Sequence, residues 1–124
     1  MPRRSRVPVG RVYDARTPED GSRVLVDRLW PRGLTKQQAD LDEWCKQIAP
    51  SRELRIWYGH DLDRFAEFGR RYRSELGDPG RADTLGYLRE LALRQPLTLL
   101  TATRQAELSE AVVLADLLDP ERNG

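Results

Sequence analysis

Four side chains suited to binding or catalysis follow directly on the apolar run of residues 24–26: Asp27, Arg28, Trp30 and Arg32. The run VLV is typical of a strand that is buried on both faces. Binding residues are often carried by loops that a rigid strand positions. The change from a buried strand to an acid, two arginines and a tryptophan therefore predicts a pocket at the carboxyl end of this strand.

A second polar cluster ends the apolar segment 97–103, where Thr103 and Arg104 lead into the last helix. Ligands of open α/β sheets lie beyond the carboxyl ends of parallel strands, and a helix amino terminus there favours an anion. Guanidinium groups bind phosphate and carboxylate in a two-pronged geometry. We therefore predict an anion-binding pocket in which Arg28, Arg32 and Arg104 hold the ligand.

The same residues also have a structural interpretation. Asp27 can pair with Arg28 or Arg32 and pin the loop over the sheet without binding any ligand. Trp30 is restricted by the following Pro31, so its ring either lines the pocket or covers the core. The sequence leaves both pairs of alternatives open.

Acid–base chemistry at such a site would depend on Asp27, Asp14 or His60. Either aspartate can serve as a general base, and His60 is the single histidine of the chain. With one histidine and one cysteine, the chain cannot supply a standard zinc site, and a nucleophilic triad is disfavoured. Cys45 falls on an apolar stripe and is expected to be inert. Asp14 with Asp27 could bind a hard metal ion, but we expect no metal and no cofactor.

Hydrophobic periodicity and turn residues divide the chain into three strands and five helices, in the order β-β-α-α-α-α-β-α. The strands are expected over Val7–Tyr13, Arg23–Leu29 and Leu97–Thr103. The helices are expected from a capping box at Thr35 or Asp40 to about Ile48, from Ser51 to Gly59, over 62–76, from the GDPG turn at 77–80 to before Pro96, and over about 106–118.

This order predicts a small α/β domain with a three-stranded sheet. Strands two and three are expected to be parallel, because a long helical crossover joins them. The loop 14–22 is too short for a standard crossover helix, which favours a hairpin between strands one and two. A parallel first strand stays open as the alternative, and it would place Asp14 beside Asp27. We expect a single domain over residues 1–124, with residues 1–6 as a loose tail.

Composition limits the classes of partner. The formal net charge is +1, so no global field draws the chain to nucleic acid or to a membrane. The single cysteine can form no internal disulfide, which suits a reducing compartment. No apolar run has the length of a signal peptide core or a membrane span. We therefore expect a cytoplasmic protein, while the oligomeric state stays open.

Several long motifs resemble the YeaO-like branch of the domain-of-unknown-function family 488. They are RVYD at residues 11–14, DGSRVLVDRLWPRG at 20–33, LDEWCKQIAPSRELRIWYGH at 41–60, F-x-x-F-x-x-R-Y-x-x-E-L at 65–76 and TLLTATRQAELSEAVVL at 98–114. The resemblance covers residues 10–118. It implies a small cytosolic α/β domain, and it implies no particular reaction.

The chain departs from the family pattern after its last strand. The family has approximately Ala-Lys-Asp-x-x-His-Asn there, whereas this chain has Thr103, Arg104 and Gln105, followed by Leu108 and Ser109. The basic residue is kept, and the acid and the histidine are lost. The departure predicts that the protein still binds an anion but catalyses poorly, unless another acid or His60 takes over proton transfer.

Two functions are compatible with these observations. The first is a binder of an anionic small molecule, or an enzyme that acts on one, with its site at the carboxyl ends of the parallel strands. The second is a non-catalytic module that contacts a protein or, with less support from the net charge, a nucleic acid through the arginine-rich helix 62–76. A pocket that contains the arginines would favour the first, and one contiguous basic surface would favour the second.

Overall fold

Four parallel strands form a single sheet in the order β1-β4-β2-β3. The computed structural model describes residues 7–119, so the tail predicted over residues 1–6 lies outside the described residues. The strands are β1 (Val9–Arg11), β2 (Ser22–Leu25), β3 (Glu43–Trp44) and β4 (Leu97–Thr101). The parallel α/β class is confirmed, but the sheet has four strands rather than three.

The predicted hairpin between the first two strands is wrong. β1 runs parallel to β4, with Val9 opposite Leu99, and β4 separates β1 from β2. The connection from β1 to β2 includes only a 3₁₀ turn, Pro18–Asp20. Gly21 ends this turn with φ 63°, where an added Cβ would lie 2.3 Å from the Pro96 oxygen. The connection thus carries the chain past β4 to the parallel strand β2 without a crossover helix. The prediction of a hairpin had assumed that a parallel arrangement needs such a helix.

The long helix predicted to end near Ile48 is also wrong. Thr35 and Gln38 do form a capping box, but helix α1 covers only Lys36–Ala39. Asp40, the other proposed cap, instead ends α1 in the left-handed conformation with φ 51°. The chain then forms β3 against β2 and a 3₁₀ turn at Lys46–Ile48.

The remaining helices follow the predicted caps. Ser51 caps α2 (Arg52–Tyr58), and Gly59 ends it in the left-handed conformation. Asp61 caps a 3₁₀ turn, Leu62–Arg64, which continues into α3 (Phe65–Glu75). α4 covers Pro79–Arg94, and α5 covers Glu110–Leu118 after a 3₁₀ turn at Ala106–Leu108.

The sheet is covered on both faces, as the VLV run predicts. Val24, Val26 and Leu99 belong to a large cluster that includes side chains of α2, α3, α4 and α5. Leu25 and Leu100 belong to a smaller cluster on the other face, which includes Val12, Ala39, Trp30 and Trp44. Successive residues of each central strand therefore pack into different core clusters on the two faces of the sheet, which fixes the register of these strands.

Arg23 is the centre of a polar network near the amino end of β2. Its side chain is 1% exposed. The guanidinium donates to the carbonyl oxygens of Asp40 (3.0 Å), Ala39 (2.9 Å) and Asp14 (3.1 Å) and to the Asp20 carboxylate (3.1 Å). Four hydrogen bonds, one of them to an opposite charge, make this arginine a structural tie between the β1–β2 connection and the end of α1.

Asp42 extends the network to the surface. Its carboxylate accepts from the Arg23 backbone N–H at 2.8 Å and from Arg16 at 3.0 Å. The bond from the Arg23 N–H is the largest of the causes that lower the pKa of Asp42, and Arg16 adds to it, while partial burial opposes them.

Candidate functional site

A cavity of about 540 Å³ lies beyond the carboxyl ends of β1, β2 and β4. Its walls come from the loop after β2, the start of the loop after β4, helix α2 and the beginning of α5. The lining residues are Tyr13, Asp27, Arg28, Leu29, Trp30, Pro31, Arg32, Ala49, Pro50, Arg55, Ile56, Tyr58, His60, Phe68, Ala102, Thr103, Leu108, Ser109 and Glu110. The volume is in the range of small-molecule sites.

Asp27 ties the ends of the two central strands together. Its Oδ2 atom accepts from the Ala102 backbone N–H at 2.7 Å, and its carbonyl oxygen accepts from the Trp44 indole N–H at 2.7 Å. Asp27 Oδ1 is buried, and no N–H or hydroxyl group of the described residues donates a hydrogen bond to it. The predicted ion pair of Asp27 with Arg28 or Arg32 is not formed among residues 7–119, and a backbone N–H of the neighbouring strand takes that place.

Glu110, the first residue of α5, places a second carboxyl group beside Asp27. Burial raises the pKa of Glu110 well above its ordinary value, and the adjoining Asp27 carboxylate raises it further. Two ionised carboxylates have no donor to share, so a hydrogen bond between them requires a proton on one of them. The direction of the shift favours the protonated form of Glu110 beside Asp27.

Arg55 on α2 supplies a positive charge at the same end of the cavity. Its field acts on Glu110 in the direction that lowers the pKa of that carboxyl group, but burial and Asp27 outweigh it. Arg55 Nε is buried and has no hydrogen-bond partner within the described part of the chain. The cavity wall therefore contains a buried donor without an acceptor.

Two of the three predicted anion-binding arginines line the cavity. Arg28 and Arg32 do so, and both are exposed. Arg104 is also exposed, but it is not among the lining residues, whereas its neighbour Thr103 is. The amino terminus of α5, expected to offer free N–H groups, is capped by Ser109, whose Oγ accepts from the Ala111 N–H at 3.2 Å.

Trp30 serves both of the roles that the sequence left open. It lines the cavity and also packs on the smaller core cluster, where its ring meets Trp44 edge-to-face at 5.3 Å. The indole N–H donates to the Leu34 carbonyl oxygen at 2.6 Å. Gly33, with φ 75°, allows the turn that brings Leu34 within reach.

The other two proposed catalytic residues have different positions. His60 lines the cavity in the left-handed conformation (φ 59°), with its ring 6.0 Å from that of Tyr58. Asp14 lies outside the cavity lining, and its carboxylate accepts from the Arg11 N–H at 3.3 Å. The proposed pairing of Asp14 with Asp27 is therefore not formed, and Glu110 is the acid that adjoins Asp27.

Cys45 is a core residue and does not line the cavity. Cys45 is 1% exposed, and burial raises the pKa of its thiol to about 12. It follows β3 rather than lying on a helix stripe, but it is packed in the core as expected. Within residues 7–119 no group of three or more His, Cys, Asp or Glu side chains is arranged to hold a metal ion.

Two cavity residues were missed from the sequence. An acid at the first position of a helix is ordinarily explained by the helix dipole, so Glu110 gave no distinct signal. Its position shortly after the carboxyl end of β4 was the available clue. Arg55 lies three residues before the inward-facing Tyr58, which places both on one side of α2.

The rim of the cavity is apolar in part. Leu29 and Ile56 line it and expose 69% and 65% of their surface.

No helix within the described residues combines the length and apolar character that crossing a membrane requires.

Comparison with known proteins assigns the chain to a family. Residues 6–123 match a family model described as the inactive DUF488-N3 subclade. The uncharacterized protein Rv3073c of Mycobacterium tuberculosis is 50% identical over 119 residues, which cover 96% of this chain and 98% of that protein. The uncharacterized protein YeaO of Escherichia coli is 44% identical over 108 residues, which cover 87% of this chain and 92% of that protein. No solved structure matches. The chain therefore belongs to the DUF488 family, within the subclade described as inactive DUF488-N3, and its resemblance to the YeaO-like branch is confirmed.

Proposed function

We propose that the protein binds a small anionic molecule, with a phosphate or carboxylate group, in the cavity at the carboxyl ends of β2 and β4. The observation that carries this proposal is the pair Arg28 and Arg32. Both line the cavity, and neither forms an ion pair within residues 7–119. Two guanidinium groups without anionic partners at one concave site favour an external anion.

Binding is preferred over turnover for two reasons. The family model is described as an inactive subclade, and the segment from Thr103 to Ser109 lacks the acid and the histidine of the family pattern. One observation favours a second candidate, an enzyme. The carboxyl groups of Asp27 and Glu110 adjoin each other. Glu110, whose pKa is raised, is suited to a general acid, and Asp27 is suited to a general base.

The interaction-module alternative has less support. On and beside α3, Arg64 pairs with Asp61, Arg70 and Arg71 pair with Glu67, and Arg73 pairs with Asp116. Arg64 and Arg71 also lie 5.1 and 4.0 Å from the centroid of the Trp57 ring. These arginines have partners within the chain, which weakens the case for a basic surface that binds a nucleic acid or an acidic protein.

A cytoplasmic location is part of the proposal. It is based on the single cysteine, which suits a reducing compartment.

Thermal unfolding with a panel of anions tests the proposal. The panel contains inorganic phosphate, benzoate, ribose 5-phosphate and adenosine monophosphate, at low salt. A ligand that binds only the folded state stabilises it by about 2.7 kcal/mol at 100 times its Kd. We expect at least one of these anions to raise Tm, and we expect Arg28→Gln/Arg32→Gln to abolish the rise.

The matched control is Arg70→Gln/Arg73→Gln, which removes the same number of charges from α3. This control should keep the rise in Tm. A rise that persists without Arg28 and Arg32, or that is lost equally in the control, would contradict the proposed site. Following the bound ligand by NMR over time, with Asp27→Asn as the comparison, separates binding from turnover.

A further inference from the structure

We propose that the anion bound in this cavity carries an apolar body, as an alkyl or aryl carboxylate does. Leu29 and Ile56 contact that body, while Arg28 and Arg32 bind the charged end. The inference rests on the proposed function, because it names the class of ligand for the same cavity. It ranks an anion with an apolar body above a small hydrophilic anion such as inorganic phosphate or acetate.

Half of the exposed large apolar side chains lie at this cavity. Six such side chains are exposed among residues 7–119, and three of them line the cavity: Tyr13, Leu29 and Ile56. A single exposed apolar side chain is ordinary on a protein surface. A group of them at one concave site, with charged residues beside them, instead marks a place where apolar surface of a ligand is buried.

The loop that carries Leu29 is held in place on both sides of this residue. Before it, the Asp27 carboxylate accepts from the Ala102 backbone N–H at 2.7 Å. After it, the Trp30 indole N–H donates to the Leu34 carbonyl oxygen at 2.6 Å. The exposure of Leu29 is therefore imposed by an anchored loop, and a ligand that contacts this side chain has little loop ordering to overcome.

Ile56 is positioned by a short helix that is fixed near both of its ends. Ser51 caps α2, and the Tyr58 hydroxyl donates to the Leu108 carbonyl oxygen at 2.8 Å. The Tyr58 ring stacks on that of Phe68 with the centroids 4.4 Å apart, and both residues line the cavity. Helix α2 thus brings an exposed aliphatic side chain and a fixed aromatic wall to the same cavity.

Charge selects an anion as the occupant of these apolar walls. Leu29 directly follows Arg28, and Arg32 lies on the same loop, so cationic and apolar side chains alternate on one wall of the cavity. A small hydrophilic anion would leave the apolar side chains in water, and a neutral apolar molecule would gain nothing from the guanidinium groups. An anion with an apolar body gains from both.

NMR titration of the full chain with a graded set of ligands tests this inference. The chain has two isoleucines, so labelling of their δ1-methyl groups gives two signals. Ile56 lines the cavity, and Ile48 is fully buried in the core and serves as the internal control. The ligands are acetate, hexanoate, 1-hexanol and hexylammonium.

We expect hexanoate to shift the Ile56 signal and not the Ile48 signal. Hexanoate should bind at least about tenfold more tightly than acetate, since each fully buried methylene group contributes about fourfold. 1-Hexanol and hexylammonium should bind at least about tenfold more weakly than hexanoate, because neither offers the arginines an anion.

Leu29→Ser/Ile56→Ser should lower the affinity for hexanoate to that for acetate and leave the affinity for acetate unchanged. The backbone N–H of Thr103, a lining residue, reports binding in the variants. The matched control is Leu62→Ser/Leu93→Ser, which changes two leucines that are 53% and 71% exposed and lie outside the cavity lining. The control should keep the advantage of hexanoate, and a melting curve of each variant shows that it is folded.

The outcomes separate this inference from the proposed function. Equal affinity for acetate and hexanoate, or no binding of hexanoate, would overturn the apolar body, as would an equal loss in the control variant. Acetate binding that is lost in Arg28→Gln/Arg32→Gln would still support the anion site in these cases.

Two further results would assign the apolar walls to another occupant. Binding of 1-hexanol as tight as that of hexanoate, and unchanged in Arg28→Gln/Arg32→Gln, would overturn the anion site and the amphipathic ligand with it. A shift of the Ile56 signal with protein concentration alone would assign this face to a second copy of the chain and overturn the inference.

Discussion

The two ends of β2 bury charged groups in opposite ways. Near the amino end, the Arg23 guanidinium makes four hydrogen bonds and is fully enclosed. Beyond the carboxyl end, Asp27 uses one carboxylate oxygen to hold Ala102 and leaves the other facing the Glu110 carboxyl group. The first charge has its partners within the chain, whereas the second group pairs two carboxyl groups and leaves the buried Arg55 Nε without a partner among the described residues.

This difference distinguishes a structural polar network from a candidate binding site. A satisfied network stabilises one arrangement of the loops and has no capacity left for a ligand. An incompletely satisfied cluster reduces the stability of the protein, as functional sites commonly do. The contrast predicts that substitutions near the amino end act on folding, and that those beyond the carboxyl end act mainly on binding.

The largest effect is expected at Arg23. Arg23→Met removes one partner of a buried ion pair and leaves three loop carbonyl groups without their donor. We expect a loss of about 3–5 kcal/mol in the free energy of unfolding, measured by urea denaturation. The control is Arg70→Met, whose side chain is 68% exposed and which should change little. Equal stability of the two variants would remove the contrast between the ends of the strand.

Asp27 should show an intermediate effect on stability. Asp27→Ala leaves the partly buried Ala102 N–H without its acceptor, at a cost of about 1–3 kcal/mol. Asp27→Asn keeps an oxygen for that bond and should cost less, so the comparison isolates the hydrogen bond from the charge. A melting curve of Asp27→Ala that matches the parent protein would show that the bond to Ala102 does not stabilise the fold.

Local signals in the sequence predicted local structure well. The VLV run gave β2, Thr35 gave the start of α1, and Ser51 and Asp61 gave the starts of the next two helical segments. The pairing of β1 with β4 could not be predicted in the same way. It joins Val9 to Leu99, residues far apart in the chain, and its selection depends on contacts that no short window contains.

The residues of the candidate site also differ in whether a local sequence signal could predict them. Asp27, Arg28 and Arg32 could be predicted because they follow a recognisable strand at the edge where parallel sheets bind ligands. Arg55 and Glu110 could not, because helix packing brings them to the cavity from segments with ordinary helical explanations. The carboxyl pair of Asp27 and Glu110 thus exists only in the folded chain, and sequence reasoning had considered only Asp14 as a partner of Asp27, in the case of a parallel first strand.

The pH dependence of stability sharpens the comparison through Glu110. Its pKa is raised in the folded protein, so between about pH 4.3, the ordinary value for glutamate, and the folded value the folded state holds a proton that the unfolded chain has released. The contribution of Glu110 to the free energy of unfolding therefore falls as pH rises through this window and is constant above it. Glu110→Gln has no such proton.

Urea denaturation of both proteins between about pH 4 and pH 8 measures this difference. The stability of Glu110→Gln relative to the parent should increase with pH, and groups common to the two proteins cancel in the comparison. Parallel pH profiles would show that Glu110 titrates normally and that the carboxyl pair does not share a proton.

The smallest effect on stability is expected from the two cavity arginines. Arg28→Gln/Arg32→Gln removes two exposed charges that have no ion-pair partner within residues 7–119, so the free energy of unfolding should change by about 0.5 kcal/mol or less for each. If the same double variant loses the anion-dependent rise in Tm, the arginines act on the ligand and not on the fold. A large loss of stability in the absence of any anion would instead assign them a structural role, and the distinction between the two ends of β2 would no longer hold for the arginines.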